Sequence, residues 1–291
     1  MMGNQNTNIF DIQKSIVSDY QEYVNSFINI RNDSVREAVQ SDIDTGKLWP
    51  EALIQFNPSF EHGDSVHSLI DDNIFHSEIQ NVFSYPLYKH QVDAIKLGNE
   101  NKDFIVTSGT GSGKSLTYIG TIFNSLFKSP GSEPGIKAVI VYPMNALINS
   151  QTEELNGYKD NYEKVTGKEF PITYAQYTGQ EKQEKREAIR ENLPDIILTN
   201  YMMLELILTR IHEKGIRNSI YKSLQFLVFD ELHTYRGRQG SDVALLIRRI
   251  KSKAEKNISC IGTSATMVSG GTLQEQRDKV AQVATTFFGV P

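Results

Sequence analysis

The sequence predicts an α/β protein: a mainly parallel sheet with helices on both faces, joined to a mostly helical N-terminal extension. Three observations carry this. Short, nearly continuous apolar runs recur at Phe104 to Val106, Ala138 to Tyr142, Ile172 to Tyr177, Asp195 to Leu198, Leu224 to Phe229 and Ile258 to Gly262. Stretches with helical spacing separate them. A glycine-rich turn, Thr107 to Ser115, lies between the first of these strands and a helix. Strands that are apolar throughout are buried on both faces, the pattern of parallel sheets.

Taken in order, residues 1 to about 50 read as helical. Ile12, Ile16, Tyr20, Tyr23, Val24 and Phe27 recur at three- and four-residue steps, and a second helix covers Ser34 to Gln40. Residues 48 to 86 are mixed, with Pro50, Pro58 and Pro86 as breakers. Residues 1–86 therefore read as an accessory segment packed on a main domain, 87–291. That domain opens with a short helix through Ile95 and Leu97. The first strand, the turn and a helix through Leu116, Ile119, Ile122, Phe123 and Leu126 follow. A helix through Leu147 and Ile148 comes after the second strand. Glu181 to Arg190 reads as a solvated helix face. Ser241 to Ile250 and Leu273 to Phe288 are the last two helices.

With 39% hydrophobic and 22% charged residues, the composition is that of a globular protein. No apolar run is long enough to span a bilayer, which excludes a membrane helix. The polar stretch Met1 to Phe10 has no signal core, so a cytoplasmic location is expected. The single cysteine, Cys260, lies in an apolar run and reads as a buried thiol. A net charge of −5 gives no global basic signature for nucleic acid. Any such contact must come from local geometry.

The turn reads Ser108-Gly109-Thr110-Gly111-Ser112-Gly113-Lys114-Ser115. Its glycines let the backbone curl and point amide N–H groups inward, and the following helix adds the positive end of its dipole. Polyphosphate fits such a cradle. Lys114 would reach the β and γ phosphates and the Ser115 hydroxyl would bind Mg²⁺. Ser108 stands where the usual pattern has its first glycine.

Ligands in such sheets sit beyond the carboxyl ends of the strands. There Phe226-Leu227-Val228-Phe229 is followed by Asp230, Glu231, Leu232 and His233. An aspartate in this place can hold Mg²⁺ opposite Ser115, and the adjacent glutamate can polarise an attacking water.

Asp230-Glu231-Leu232-His233 resembles the DExH form of motif II of superfamily 2 helicases. Other words fall in that family's order. Gln91, after Tyr88, resembles the glutamine motif that reads adenine; Tyr88 either stacks on the base or belongs to the core. Ser108 to Ser115 resembles motif I. Tyr142-Pro143-Met144-Asn145-Ala146-Leu147 with Gln151 resembles motif Ia, and Tyr177-Thr178-Gly179-Gln180 motif Ib. Leu198-Thr199-Asn200 resembles the motif after it, and Thr263-Ser264-Ala265-Thr266 resembles motif III. The stretch Asp230 to Ala244 resembles more narrowly the large bacterial YprA-like helicases and their Hrq-type relatives. So do Ile30-Arg31, Leu48-Trp49-Pro50 and Leu53 to Pro58.

The resemblance implies a P-loop, RecA-like first motor domain that binds ATP and Mg²⁺. It implies catalytic roles for Lys114, Asp230, Glu231 and His233, with coupling to nucleic acid through Ser264 and Thr266. It points to nucleic-acid contacts at Pro143, Asn145, Thr178, Gly179, Thr199 and Asn200. Arg236 and Arg238, flanking Gly237, either touch a phosphate backbone or pair with nearby acids. Met202 and Met203 read as packing residues. DNA is favoured over RNA by the YprA-like resemblance, with repair or phage-defence partners in view. A second RecA-like domain, in cis or in trans, would supply arginine fingers worth roughly 10³ to 10⁵ in rate. The chain alone is therefore expected to bind ATP–Mg²⁺ modestly, hydrolyse it slowly and unwind nothing. Other readings are a non-motor module switched by ATP, and a P-loop kinase or transport ATPase.

Overall fold

The computed structural model describes residues 8–46, 53, 59–109, 111–129, 133–265 and 272–289. The chain divides into two compact units, Met1–Ser59 and Phe60–Pro291.

The first unit holds α1 (Ile9–Phe27) and α2 (Asp33–Asp44). Asn8 caps α1 by accepting the amides of Phe10 and Asp11, and Asn32 caps α2 by accepting that of Val35. No residue of α1 is buried, and its apolar residues, Ile9, Phe10, Ile12, Ile16, Tyr20, Tyr23 and Phe27, are exposed.

The second unit begins with α3 (Val66–Asp71), α4 (Ile79–Val82) and α5 (Lys89–Asn99). It continues as β1 (Phe104–Thr107), α6 (Lys114–Lys128), β2 (Ala138–Tyr142), α7 (Asn145–Thr166), β3 (Tyr174–Gln176) and α8 (Gln183–Glu191). Then come β4 (Ile196–Asn200), α9 (Tyr201–Thr209), α10 (Lys214–Ser223), β5 (Phe226–Phe229), α11 (Gly237–Lys253), β6 (Ser259–Ser264) and α12 (Leu273–Phe288). The strands form one six-stranded sheet in the order β1-β6-β5-β2-β4-β3. Every pairing is parallel. This is the α/β fold the apolar runs predict. Helices α9 and α10 are additional to the sequence-predicted elements. They bury Met203, Leu204, Ile207, Ile216 and Ile220, which recur at helical spacing in a stretch with no strand.

The period-two geometry of the strands feeds two cores. Ala138, Ile140, Tyr142, Phe226, Val228 and Ile261 face one cluster with α3 to α7. Val139, Val141, Leu227, Phe229 and Cys260 face the other, with α9, α10 and α11. Val66, Leu69, Phe75, Ile79, Val82 and Phe83 are buried in the first cluster. The packing boundary therefore lies before residue 60 rather than after residue 86. Pro50 and Pro58 lie outside the described residues; Pro86 separates the short α4 from α5, whose apolar sides help cover the sheet.

All strands point their carboxyl ends the same way. One edge of the sheet thus carries the turn after β1, Asp230 after β5, the end of β6, and the starts of α7 and α9.

Candidate nucleotide and nucleic-acid site

The phosphate loop forms where β1 meets α6. Gly111 and Gly113 take positive φ of 75° and 69°, a region that glycine enters without steric cost. A Cβ on Gly113 would also lie 2.6 Å from Gln91 Nε2. Gly109 shows no such requirement, and Thr110 lies outside the described residues. The loop is braced from within. The hydroxyls of Ser108 and Ser112 lie 2.6 Å apart. Lys114, buried, turns its ammonium onto the carbonyls of Ser108 and Gly109, both at 3.0 Å.

Helix α5 braces the loop from outside. Gln91 is buried and Tyr88 donates its backbone N–H to Gln91 Oε1 (2.8 Å). Gln91 Nε2 donates to the Gly113 carbonyl (2.9 Å). The glutamine thus braces the loop, with both ends of its amide engaged. Tyr88 stacks on His90 at a centroid distance of 5.8 Å, and Phe60 leans on both rings. His90 was no sequence candidate, yet its Nε2 lies 3.0 Å from the Ser112 carbonyl. A carbonyl only accepts, so Nε2 carries the proton. Burial lowers the His90 pKa, and the Lys114 charge adds to this.

The acidic side of the site is assembled by β6 beside β5. Asp230 is almost buried, and burial raises its carboxyl above the usual range. Thr263 Oγ1 donates to Asp230 Oδ1, and the Glu231 amide donates to the same hydroxyl (3.1 Å). Glu231 adopts left-handed backbone with φ 52°, strained for a residue with a Cβ and common where chemistry demands it. Its Oε2 is buried without a hydrogen bond. It lies 3.2 Å from His233 Nδ1, in poor alignment for one. His233 Nδ1 also lies 3.2 Å from Ser264 Oγ, and the Ser108 amide donates to the Ser264 carbonyl (3.2 Å). Ser264 thus touches both His233 and the phosphate loop, whereas Thr266 lies outside the described residues. Of Thr263 and Ser264, the two motif III residues within reach of His233, it is Ser264 that meets the imidazole, while Thr263 holds Asp230 because β6 pairs with β5.

Beneath the loop, the buried Tyr118 and Tyr142 hydroxyls lie 3.3 Å apart, and Tyr118 reaches Gln151 Oε1 at 3.3 Å. Desolvation raises both phenols well above their ordinary value. A cavity of about 780 Å³ between α5, β1 and α12 includes His90 and Ser108 in its lining, but none of Lys114, Asp230 or Glu231.

Along the same edge, Asn200 caps α9 by accepting the Met203 amide (2.8 Å), and its Nδ2 donates to Asn145 Oδ1 (2.9 Å). The structure thus brings these two candidates together. Pro143 is half-buried beside them. Thr178 and Thr199 are buried. The Thr199 hydroxyl donates to the Tyr177 carbonyl (2.7 Å), and Thr178 Oγ1 accepts the Gln180 amide (3.2 Å). Their side chains face inward, which leaves backbone groups and the exposed Gly179 as the accessible surface. Arg236 and Arg238 are exposed. Arg236 Nε donates to the His233 carbonyl (2.8 Å), tying it to motif II. Met203 packs as expected. Met202 does not: it is 55% exposed, because it starts α9 on the solvent side.

With this geometry in view, the comparisons decide the family. The DEAD/DEAH box helicase model matches residues 88–272. The chain belongs to the DEAD/DEAH box helicase family. It is 30% identical over 194 residues to the uncharacterised ATP-dependent helicase MJ1574 of Methanocaldococcus jannaschii, covering 66% of this chain and 27% of that one. It is 31% identical over 193 residues to the uncharacterised ATP-dependent helicase YprA of Bacillus subtilis, covering 65% and 24%. The crystal structure of the DUF1998 helicase MrfA bound to DNA and AMPPNP superposes with a TM-score of 0.63 at 20% identity. That match covers 86% of this chain and 33% of that one. The chain spans about a quarter of the length of the two curated relatives. These matches fix a helicase first motor domain with a RecA-like α/β fold.

Proposed function

We propose that this chain is the ATP- and nucleic-acid-binding motor domain of an ATP-dependent DNA helicase or translocase. The observation that supports the reading is a pair of hydrogen-bonded groups on adjacent residues of β6: Asp230 and Glu231 meet on Thr263, and His233 meets Ser264, whose carbonyl accepts the Ser108 amide of the phosphate loop. Through them a change in phosphate occupancy would reach Asp230, Glu231 and His233. YprA and MJ1574 carry the name ATP-dependent helicase, and MrfA was crystallised with DNA. These similarities support DNA as the substrate.

The residues fit a bound Mg²⁺. Asp230 is a nearly buried carboxylate aimed at the loop, and Glu231 Oε2 is a buried acceptor without a donor, suited to an ordered water. Among the described residues no cluster of three His, Cys, Asp or Glu side chains exists. Ser115 and Asp230 would therefore hold the ion jointly with phosphate oxygens and water. The ion would neutralise charge on the β and γ phosphates. Lys114 would leave its two carbonyls for phosphate oxygens. Glu231 would orient the attacking water and accept its proton. His233, against Ser264, would pass the result to the nucleic-acid side. Repair or defence pathways, and a second RecA-like domain as partner, belong to the same proposal.

Nucleotide binding to wild type and Lys114→Ala, with and without single-stranded DNA, tests this. The expected result is ATP–Mg²⁺ binding that Lys114→Ala abolishes and DNA alters. ATP binding indifferent to DNA would favour a switch module instead.

A further inference from the structure

We propose that the notch between α8 and the turn after α9 is a phosphate-binding site that extends the nucleic-acid path beyond Gly179; this rests on the nucleic-acid reading above. The notch is a cavity of about 470 Å³ lined by Gln183, Arg186, Glu187, Arg190, Arg210, His212 and Glu213. Its charges are not equivalent. Arg190 donates to both oxygens of Glu213 at 3.0 and 3.1 Å, and the Tyr177 hydroxyl donates to Glu213 Oε2 (2.5 Å). Burial alone would raise the Glu213 pKa, but the bonds from Arg190 and Tyr177 outweigh it and hold the carboxyl below its usual range. This acid is therefore ionised and fully matched. Glu187 accepts from Gln183 Nε2 (2.6 Å).

Two guanidinium groups remain. Arg210 is exposed and forms no ion pair among the described residues. Among the described residues Arg186 reaches only Gln183 Oε1, at 3.3 Å, and its Nε is buried without an acceptor. A buried guanidinium N–H without an acceptor is costly, and a phosphate oxygen satisfies it with a charge-assisted bond. Exposed His212 offers a further donor on the rim. The location suggests the source of the phosphate. Tyr177, whose hydroxyl meets Arg190 and Glu213, directly precedes Thr178 and Gly179, the backbone surface proposed for nucleic acid. Arg186 lies on α8, the first helix after Gly179, so a strand on that surface would have the notch beside it. Free phosphate offers the same chemistry, so the test must separate the two.

The test is a salt titration of single-stranded DNA binding by wild type and Arg186→Gln/Arg210→Gln, with nucleotide affinity and melting temperature measured alongside. The double variant is expected to bind the strand several-fold more weakly. Its plot of log affinity against log salt should be shallower by about 1.4, at about 0.7 per lost phosphate contact. Nucleotide affinity should not move. Unchanged strand affinity and slope overturn the inference while leaving the nucleic-acid reading intact. So does inorganic phosphate binding at constant ionic strength that is lost in the variant without an effect on the strand; that result assigns the notch to a free anion. No strand binding by wild type at any salt removes the nucleic-acid reading, and this inference with it.

Discussion

The proposed nucleotide side and the proposed nucleic-acid side of the same sheet edge are built in opposite ways. On the nucleotide side, side chains hold one another: Gln91 holds Gly113, Thr263 holds Asp230 and Ser264 meets His233. On the other side the threonines turn inward, only Asn200 and Asn145 among the candidates meet through their side chains, and what faces solvent is backbone, a glycine, methionines such as Met144 and Met202, and the arginines Arg236 and Arg238. The difference suits the proposed ligands. A triphosphate–Mg²⁺ has fixed charge and shape, so its site is preorganised at atomic precision. A sugar–phosphate strand must slide, so its track needs repeated, unspecific donors.

If that contrast is right, single substitutions on the nucleotide side should be severe and those on the other side graded. Lys114→Ala should reduce ATP affinity by a hundredfold or more, measured by calorimetry, since it removes the ammonium of the phosphate cradle. Asp230→Asn should abolish Mg²⁺-dependent hydrolysis and yet raise the melting temperature at pH 7. Its folded pKa lies above the unfolded value, so the folded state binds the proton more tightly. Stability is therefore lost as pH rises through that window, and the amide escapes the loss. The gain should vanish near pH 3, where both states are protonated; a gain that persists there would assign it to something other than ionisation. Thr263→Ala should lower hydrolysis roughly tenfold or more with nucleotide affinity nearly kept, because it frees Asp230 and the Glu231 amide together. Arg238→Gln should weaken single-strand binding only slightly, reducing the salt slope by about 0.7, and should leave hydrolysis without nucleic acid untouched. Smallest of all, native Cys260 should resist alkylation. The thiol is fully buried, and burial pushes its pKa to about 12.

The same contrast explains what could be read in advance. Ser108 to Ser115 and Asp230-Glu231 were legible because phosphate and magnesium chemistry demand particular residue types at fixed spacing. The strands were legible because burial on both faces makes them apolar throughout. Thr263 acquires its role only when β6 lies beside β5, and the one-dimensional order of residues carries no record of that pairing. His90 is similar, for its partner is a carbonyl that any residue at 112 would provide. Glu181 to Arg190 read as a solvated face, and one side of α8 indeed is one. Its other side meets Arg210 and Glu213 in the turn between α9 and α10, a contact between residues about 20 positions apart that no local pattern records.

The inward turn of Lys114 onto Ser108 and Gly109 makes the loop its own first occupant. An incoming anion has to draw the ammonium away from two carbonyls already in place, so the empty loop keeps its charge satisfied and its curled shape held until a ligand arrives.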